Sequence, residues 1–300
     1  MWKLNLSLVF LLVSMNGMSQ RSFFERADTL NRGRLIGISS GISAFWAGSM
    51  IGLSQVWYSK VEKAPFHTFD DSKNWLQMDK VGHFYISYQE TQFTTDLFHW
   101  TGLEDKKCAL IGAGVSIGYQ TTFELFDAFS ADWGFSWSDV AANTIGTAFY
   151  AVQSYFWDEQ RIIPKFSYAP TKFATLRPSV LGSTFTESLL KDYNGQTYWL
   201  SASPGSFFKN SPIPEWACFS IGYSAHRKLV GDEEYYIDPA TGIEYNSQRE
   251  LIFSLDIDFS KLPIKKPWLK AIVKHFNYFK FPFPALIIRN DGVSGSALSY

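Results

Sequence analysis

The stretch DKVGHFYISYQETQFTTDLFHW, residues 79–100, decides how this chain is read. Asp79, His83, Ser87, Glu90 and Thr94 recur at spacings of three and four, so a helix gathers them into one polar row on an otherwise apolar body. Two later segments repeat the pattern. Ser116, Gln120, Glu124 and Asp127 form a row within residues 108–129, and Asp139, Asn143, Thr147, Tyr150 and Ser154 form another within 139–157. Rows that face water normally carry Lys, Arg and Glu, whose long side chains cover a solvated face. Residues 108–123 and 140–157 contain no Lys or Arg. Short polar side chains at helical spacing suit an interior, where they bond across to neighbouring helices. Rows turned inward are the favoured reading, and a solvated face is the alternative.

Working outward, residues 35–58 run without a charge and are long enough to span a bilayer or to form a buried helix. With helices over residues 79–100, about 108–129 and 139–157, the short connections favour antiparallel neighbours. The expected assembly is a membrane-associated four-helix bundle over residues 35–163, preceded by a polar segment, 20–34. After Pro164 the character changes. YNGQTYWLS (193–201), FSIGYS (219–224) and ELIFSLDIDFS (250–260) read as strands, the last with alternating Leu251, Phe253, Leu255 and Ile257. KKPWLKAIVKHFNYFKF (265–281) reads as a basic amphipathic helix, suited either to an anionic membrane surface or to packing on the strands. The expected class is therefore mainly α, with a smaller strand-containing region over residues 164–300 (α+β).

The N-terminus, MWKLNLSLVFLLVSMNGMSQ, has Lys3, an apolar run and small residues Gly17 and Ser19 before Gln20. That is the layout of a signal peptide over residues 1–19, with an uncleaved anchor as the alternative. Export is expected, with association to a membrane of the bacterial cell envelope. Aromatic residues make up 18% of the chain, with 11 Trp and 27 Phe, and they cluster at Trp57, Tyr58, Trp100, Trp133, Trp137, Phe156 and Trp157. Such belts mark membrane interfaces, so membrane lipids are the expected partner. A formal net charge of −1 and the absence of a basic recognition motif argue against nucleic acid; no protein partner is indicated. Cys108 and Cys218 match no metal or redox spacing. A disulfide between them and a buried free Cys108 are both open.

Asp79 and His83, at i and i+4, can meet on one turn, and Glu124 and Asp127 share a face. His83, Glu124, Asp127 and Asp139 are the catalytic candidates, within a polar network of Asp79, His83, Glu90, Gln120, Glu124, Asp139 and Asn143. Carboxylates and imidazole in this pattern handle protons or bind a metal, though the sequence names neither a metal nor a cofactor. Structural readings stand beside these. Asp79 alone is a good N-cap, Ser136 and Asp139 resemble a capping box, and a lone His is often a hydrogen-bonded core residue. With no nucleophile elbow, phosphate loop or zinc motif in the chain, a structural or interaction role in the envelope is the favoured expectation. The alternative is a membrane-embedded enzyme acting on a lipid or envelope precursor. That alternative requires His83, Glu124 and Asp139 to converge in one water-accessible cleft.

DKVGHF (79–84), FELFDAF (123–129) and FSWSDVAANTIG (135–146) resemble the YfiM-like family of predicted periplasmic lipoproteins, a domain of unknown function, over about residues 75–160. The same residues are more distantly similar to VanZ-like membrane proteins, which also combine an Asp-Lys-x-x-His start, a mid-chain Glu and a late Asp-x-x-x-Asn-x-x-Gly. That second similarity implies a helical membrane-embedded domain without a settled chemistry. The chain departs from the lipoprotein pattern in having no cysteine before Cys108.

Overall fold

A computed structural model describes residues 25–56, 58–208 and 210–299; the signal-peptide reading of residues 1–19 lies outside them. Four long helices come first: α1 (Arg32–Val56), α2 (Met78–Trp100), α3 (Asp105–Asp127) and α4 (Trp137–Trp157). Strand β1 (Ile162–Tyr168), the short helices α5 (Phe173–Leu176), α6 (Pro178–Leu181) and α7 (Phe185–Lys191), strand β2 (Gln196–Ala202) and helix α8 (Pro204–Phe207) follow. Strands β3 (Ala217–His226), β4 (Tyr235–Ile237), β5 (Glu244–Asn246) and β6 (Gln248–Ile257), helix α9 (Pro267–Val273), and strands β7 (Phe283–Arg289) and β8 (Gly292–Ser299) complete the chain. β1-β2-β3-β6-β7-β8 form one antiparallel six-stranded sheet, and β4 pairs with β5 alone.

The chain is thus mixed α+β rather than mainly α, because a six-stranded sheet stands beside the long helices. The helical region ends earlier than residue 163, since Ile162 already pairs with Ala202. The basic segment forms only a two-turn α-helix and a short 3-10 turn, because β7 begins at Phe283.

The four long helices are not equal partners. α2, α3 and α4 pack tightly on one another, and two glycines set how closely. A Cβ on Gly112 would lie 2.4 Å from Thr95 Oγ1 and 2.7 Å from the Thr91 carbonyl, and one on Gly146 would lie 2.1 Å from the Phe84 carbonyl. Only hydrogen fits there, so the backbones of α3 and α4 approach α2 directly. α1 instead lies along the side of this trio. It touches α3 through Phe45 and Trp46 against Tyr119 and through Ser49 Oγ, which accepts from the Tyr119 hydroxyl at 3.0 Å. Most of α1 is exposed, including Ile36, Phe45 and Ile51. Among the described residues it is the one helix long and apolar enough to cross a bilayer.

The predicted inward turn of the polar rows holds. Ser87, Thr94, Ser116, Gln120, Glu124, Asp139, Asn143 and Thr147 are buried, while Ile86, Phe93, Leu110, Ile117, Leu125, Ile145 and Val152 are exposed. The sheet shows the same inversion. Phe219, Ile221, Leu251, Phe253, Leu255 and Leu286 lie on one exposed face, tied by the pairs Phe219–Leu255, Ile221–Phe253 and Phe253–Leu286. The opposite face buries Ser201, Ser220, Ser254, Trp199 and Ile252 with an ion pair, Lys165 Nζ to Asp256 Oδ2 at 2.8 Å, both side chains fully buried. Asp256 also accepts from the Ser201 hydroxyl at 2.6 Å, and Lys165 donates to the Ile257 carbonyl at 2.6 Å. α2 joins the two halves by packing Tyr85 on Phe166 and Tyr198. Cys108 and Cys218 are buried free thiols and form no disulfide.

Candidate functional site

The site forms at the end of the bundle where α2 and α4 start and α3 stops. The linker ahead of α2 crosses that end. Its Ala64 and His67 amides donate to the Phe129 and Ala128 carbonyls, and Phe69 N–H donates to Phe135 O at 3.1 Å. Trp75, Leu76 and Gln77 then take left-handed φ values of 51°, 54° and 62°. Three such residues in a row are strained, and the sheet holds them in place. Trp75 N–H donates to Gly231 O at 2.6 Å, the Tyr223 hydroxyl donates to Leu76 O, and Arg249 Nη2 donates to Gln77 Oε1 at 2.7 Å. This turn, and not Asp79, starts α2. Asp79 stands one residue inside the helix, where its carboxylate is free for other work, which corrects its reading as the N-cap.

What occupies that carboxylate is Lys80, a residue the sequence patterns did not single out. Its ammonium donates to Asp71 Oδ2 at 2.6 Å, Asp79 Oδ2 at 2.9 Å and Asp139 Oδ1 at 2.5 Å. Burial opposes the charge, but the carboxylates of Asp79 and Asp139 outweigh it and hold the lysine well above its usual value. Asp71 is fixed in turn by the Ser136 and Ser138 hydroxyls, which donate to its Oδ1 at 2.7 and 2.8 Å. Although burial works against its charge, the bonds from Lys80 and Ser136 leave Asp71 below the ordinary aspartate range. Tyr193, from the sheet half, donates to Asp79 Oδ1 at 3.0 Å.

Ser136 caps α4 as predicted, its Oγ accepting from Asp139 N–H at 3.1 Å. The reciprocal half of a capping box is absent. Ser136 N–H donates to Glu124 Oε2 at 3.2 Å, which releases the Asp139 carboxylate to Lys80. Glu124 is buried and close to Asp139, and both effects push it up to about 8, so it is largely protonated at neutral pH. Asp127 accepts from the Tyr58 hydroxyl at 2.6 Å and is pushed by burial to about 6.

His83 sits one turn into α2. Its Nδ1 donates to Asn143 Oδ1 at 3.1 Å, and the same oxygen accepts from Ser87 Oγ at 2.8 Å. This bond places a proton on Nδ1, and Nε2 faces Asp139 Oδ1 at 3.6 Å and Asp79 Oδ1 at 3.8 Å. Burial disfavours the imidazolium, yet the carboxylates of Asp79 and Asp139 raise the histidine above its ordinary value.

These groups line one cavity of about 680 Å³. Asp79, His83, Glu124, Asp127 and Asp139 all reach it, joined by Asp71 and by the rings of Tyr58, Trp75, Trp133 and Tyr193. Leu53, near the end of α1, forms part of its wall. Of the remaining predicted network residues, Gln120 and Asn143 are buried and Glu90 borders a second cavity beside α1. Glu90 accepts from Gln120 Nε2 at 2.8 Å and from the Ser116 hydroxyl at 3.1 Å, with burial pushing its carboxyl to about 7. Asn143 stands between this layer and the cavity.

Lys80, Asp71 and Tyr193 escaped the sequence reading for different reasons. Lys80 lies inside the quoted DKVGHF but off the polar row, and Asp71 reads as part of a polar linker. Tyr193 arrives from 114 residues away with no local pattern to mark it.

Among known proteins, residues 68–155 match the model of a family described as predicted periplasmic lipoprotein (DUF2279). The match spans the end of the linker, α2, α3 and nearly all of α4, so every predicted site residue falls inside it. No curated protein and no solved structure matches the chain.

Proposed function

We propose that this exported cell-envelope protein, with its periplasmic-lipoprotein family domain over residues 68–155, is an acid–base enzyme working beside a membrane on a lipid-linked or envelope precursor. The observation that carries the reading is the convergence of His83, Glu124 and Asp139 on one open cavity. A purely structural network does not need a cavity of that size, nor a histidine nitrogen set beyond hydrogen-bond length from two carboxylates. His83 Nε2 is the proton acceptor, with its tautomer set by Asn143. Glu124, protonated at neutral pH, is the proton donor across the same space. Lys80 positions Asp71, Asp79 and Asp139 and touches no substrate.

Membrane association is supported by the apolar exterior. α1 is long enough to span, and the exposed faces of the other helices and of the sheet are apolar while the polar groups are buried. Leu53 links the end of α1 to the cavity wall, so a substrate held at the lipid surface has a short path to His83.

Complementation of a deletion strain with His83→Ala, Glu124→Gln and Asp139→Asn, with abundance measured in parallel, tests the reading. Loss of about 10²–10⁴-fold in activity at normal abundance is the expected result. A loss of function that merely tracks loss of protein would return the structural or interaction role to first place.

A further inference from the structure

We propose that Asp79, His83 and Asp139 bind one divalent transition-metal ion, of the zinc or manganese type, on the wall of the cavity. The inference rests on the enzyme reading above and names the cofactor that site would use.

Geometry comes first. One oxygen of each carboxylate and a ring nitrogen of His83 lie within 4.8 Å of one another. The two measured N–O separations, 3.6 and 3.8 Å, exceed hydrogen-bond length. Ligands about 2.0–2.2 Å from a shared ion stand roughly 3–4 Å apart, which matches this spacing; in the absence of an ion Asp139 Oδ1 accepts from Lys80 and Asp79 Oδ1 from the Tyr193 hydroxyl. The histidine is also prepared for the role. A metal-binding imidazole donates its second N–H to a fixed oxygen, and Asn143 Oδ1 accepts from His83 Nδ1 at 3.1 Å. Asn143 is buried, and its oxygen is held further by Ser87.

Charge gives an independent argument. Asp71, Asp79 and Asp139 gather around the single ammonium of Lys80, which leaves two negative charges uncompensated in a half-enclosed space. A divalent cation cancels it, whereas an imidazolium cancels only half. The nitrogen ligand selects against magnesium and calcium, which prefer all-oxygen sites. Three protein ligands leave a position open to the cavity, as a site for catalysis rather than for structure requires.

The full chain, purified in detergent, stripped with EDTA and dialysed, is titrated with Zn²⁺ and separately with Mn²⁺ by calorimetry. Thermal unfolding is followed with and without each ion. The expected result is one equivalent bound and a raised midpoint. Affinity falls at least tenfold in His83→Gln and Asp139→Asn, falls about 10–100-fold in Asn143→Ala, and is unchanged in the surface variant Asp105→Asn. Circular dichroism confirms that each variant is folded. Absence of saturable binding to the wild type, or binding that survives His83→Gln, overturns the metal site. If no metal binds yet His83→Ala still abolishes function at normal abundance, the acid–base reading stands without the ion. If metal binds while these variants retain function, the site is a metal site and the catalytic reading fails.

Discussion

Two polar regions share this bundle, and they are built on different accounting. In one of them, Glu90 has a donor for each carboxylate oxygen, Gln120 and Ser116, and both partners are neutral. Burial keeps its carboxyl protonated up to about pH 7, so the layer stores little charge. At the cavity end, three carboxylates share one lysine, His83 Nε2 faces two of them beyond hydrogen-bond length, and the surrounding space is open. Buried polar groups hold a fold together when every one is satisfied. Where charge is left over beside a cavity, the arrangement is poised to bind or react.

Removing the shared cation should give the largest effect and break the cavity end alone. Lys80→Met leaves Asp71, Asp79 and Asp139 facing one another, and a loss of about 3–5 kcal/mol is expected in denaturant unfolding. Next comes the close approach that both regions depend on. Gly146→Ala drives a methyl into the Phe84 carbonyl and should cost about 1–3 kcal/mol, read as a lowered thermal midpoint. Ser136→Ala removes the α4 cap and one of the bonds to Asp71, with an expected loss of about 1 kcal/mol.

The smallest effect, and the sharpest contrast, comes from Glu90→Gln, which keeps the layer's shape without its proton. A carboxyl with a folded value near 7 against an ordinary 4.5 binds more protons folded than unfolded across that range. Its contribution to stability is therefore lost as pH rises. Glu90→Gln should match the wild type at pH 5 within about 0.5 kcal/mol and be the more stable protein at pH 8. Glu124→Gln should flatten the pH dependence in the same direction, over a window reaching about pH 8, but it should also remove activity. Unfolding curves at the two pH values, set beside the functional assay, separate the regions.

The helical rows were readable because a 3.6-residue period shows in one dimension, and their missing lysines and arginines signalled burial. The sheet was less readable. β1, IIPKFSY, contains Pro164, which argues against a strand, yet β1 lies at the sheet edge, where a missing N–H costs no ladder bond. β8 carries two glycines, and the short β4 and β5 have no periodicity to recognise. The alternation in β6 was visible, but not that its apolar side faces outward and its Ser254 and Asp256 inward.

By itself, the sequence determined the helices, their polar rows and the inward turn of those rows, because each follows from local spacing and residue type. It also carried the family motifs. The tertiary structure alone decided that α1 stands apart from the other three helices, since that depends on which faces find partners. It alone placed Asp71 and Tyr193 beside Asp79, and made Lys80 the centre of three carboxylates. Those contacts join segments up to 114 residues apart in the chain, and no local pattern encodes a distance of that kind.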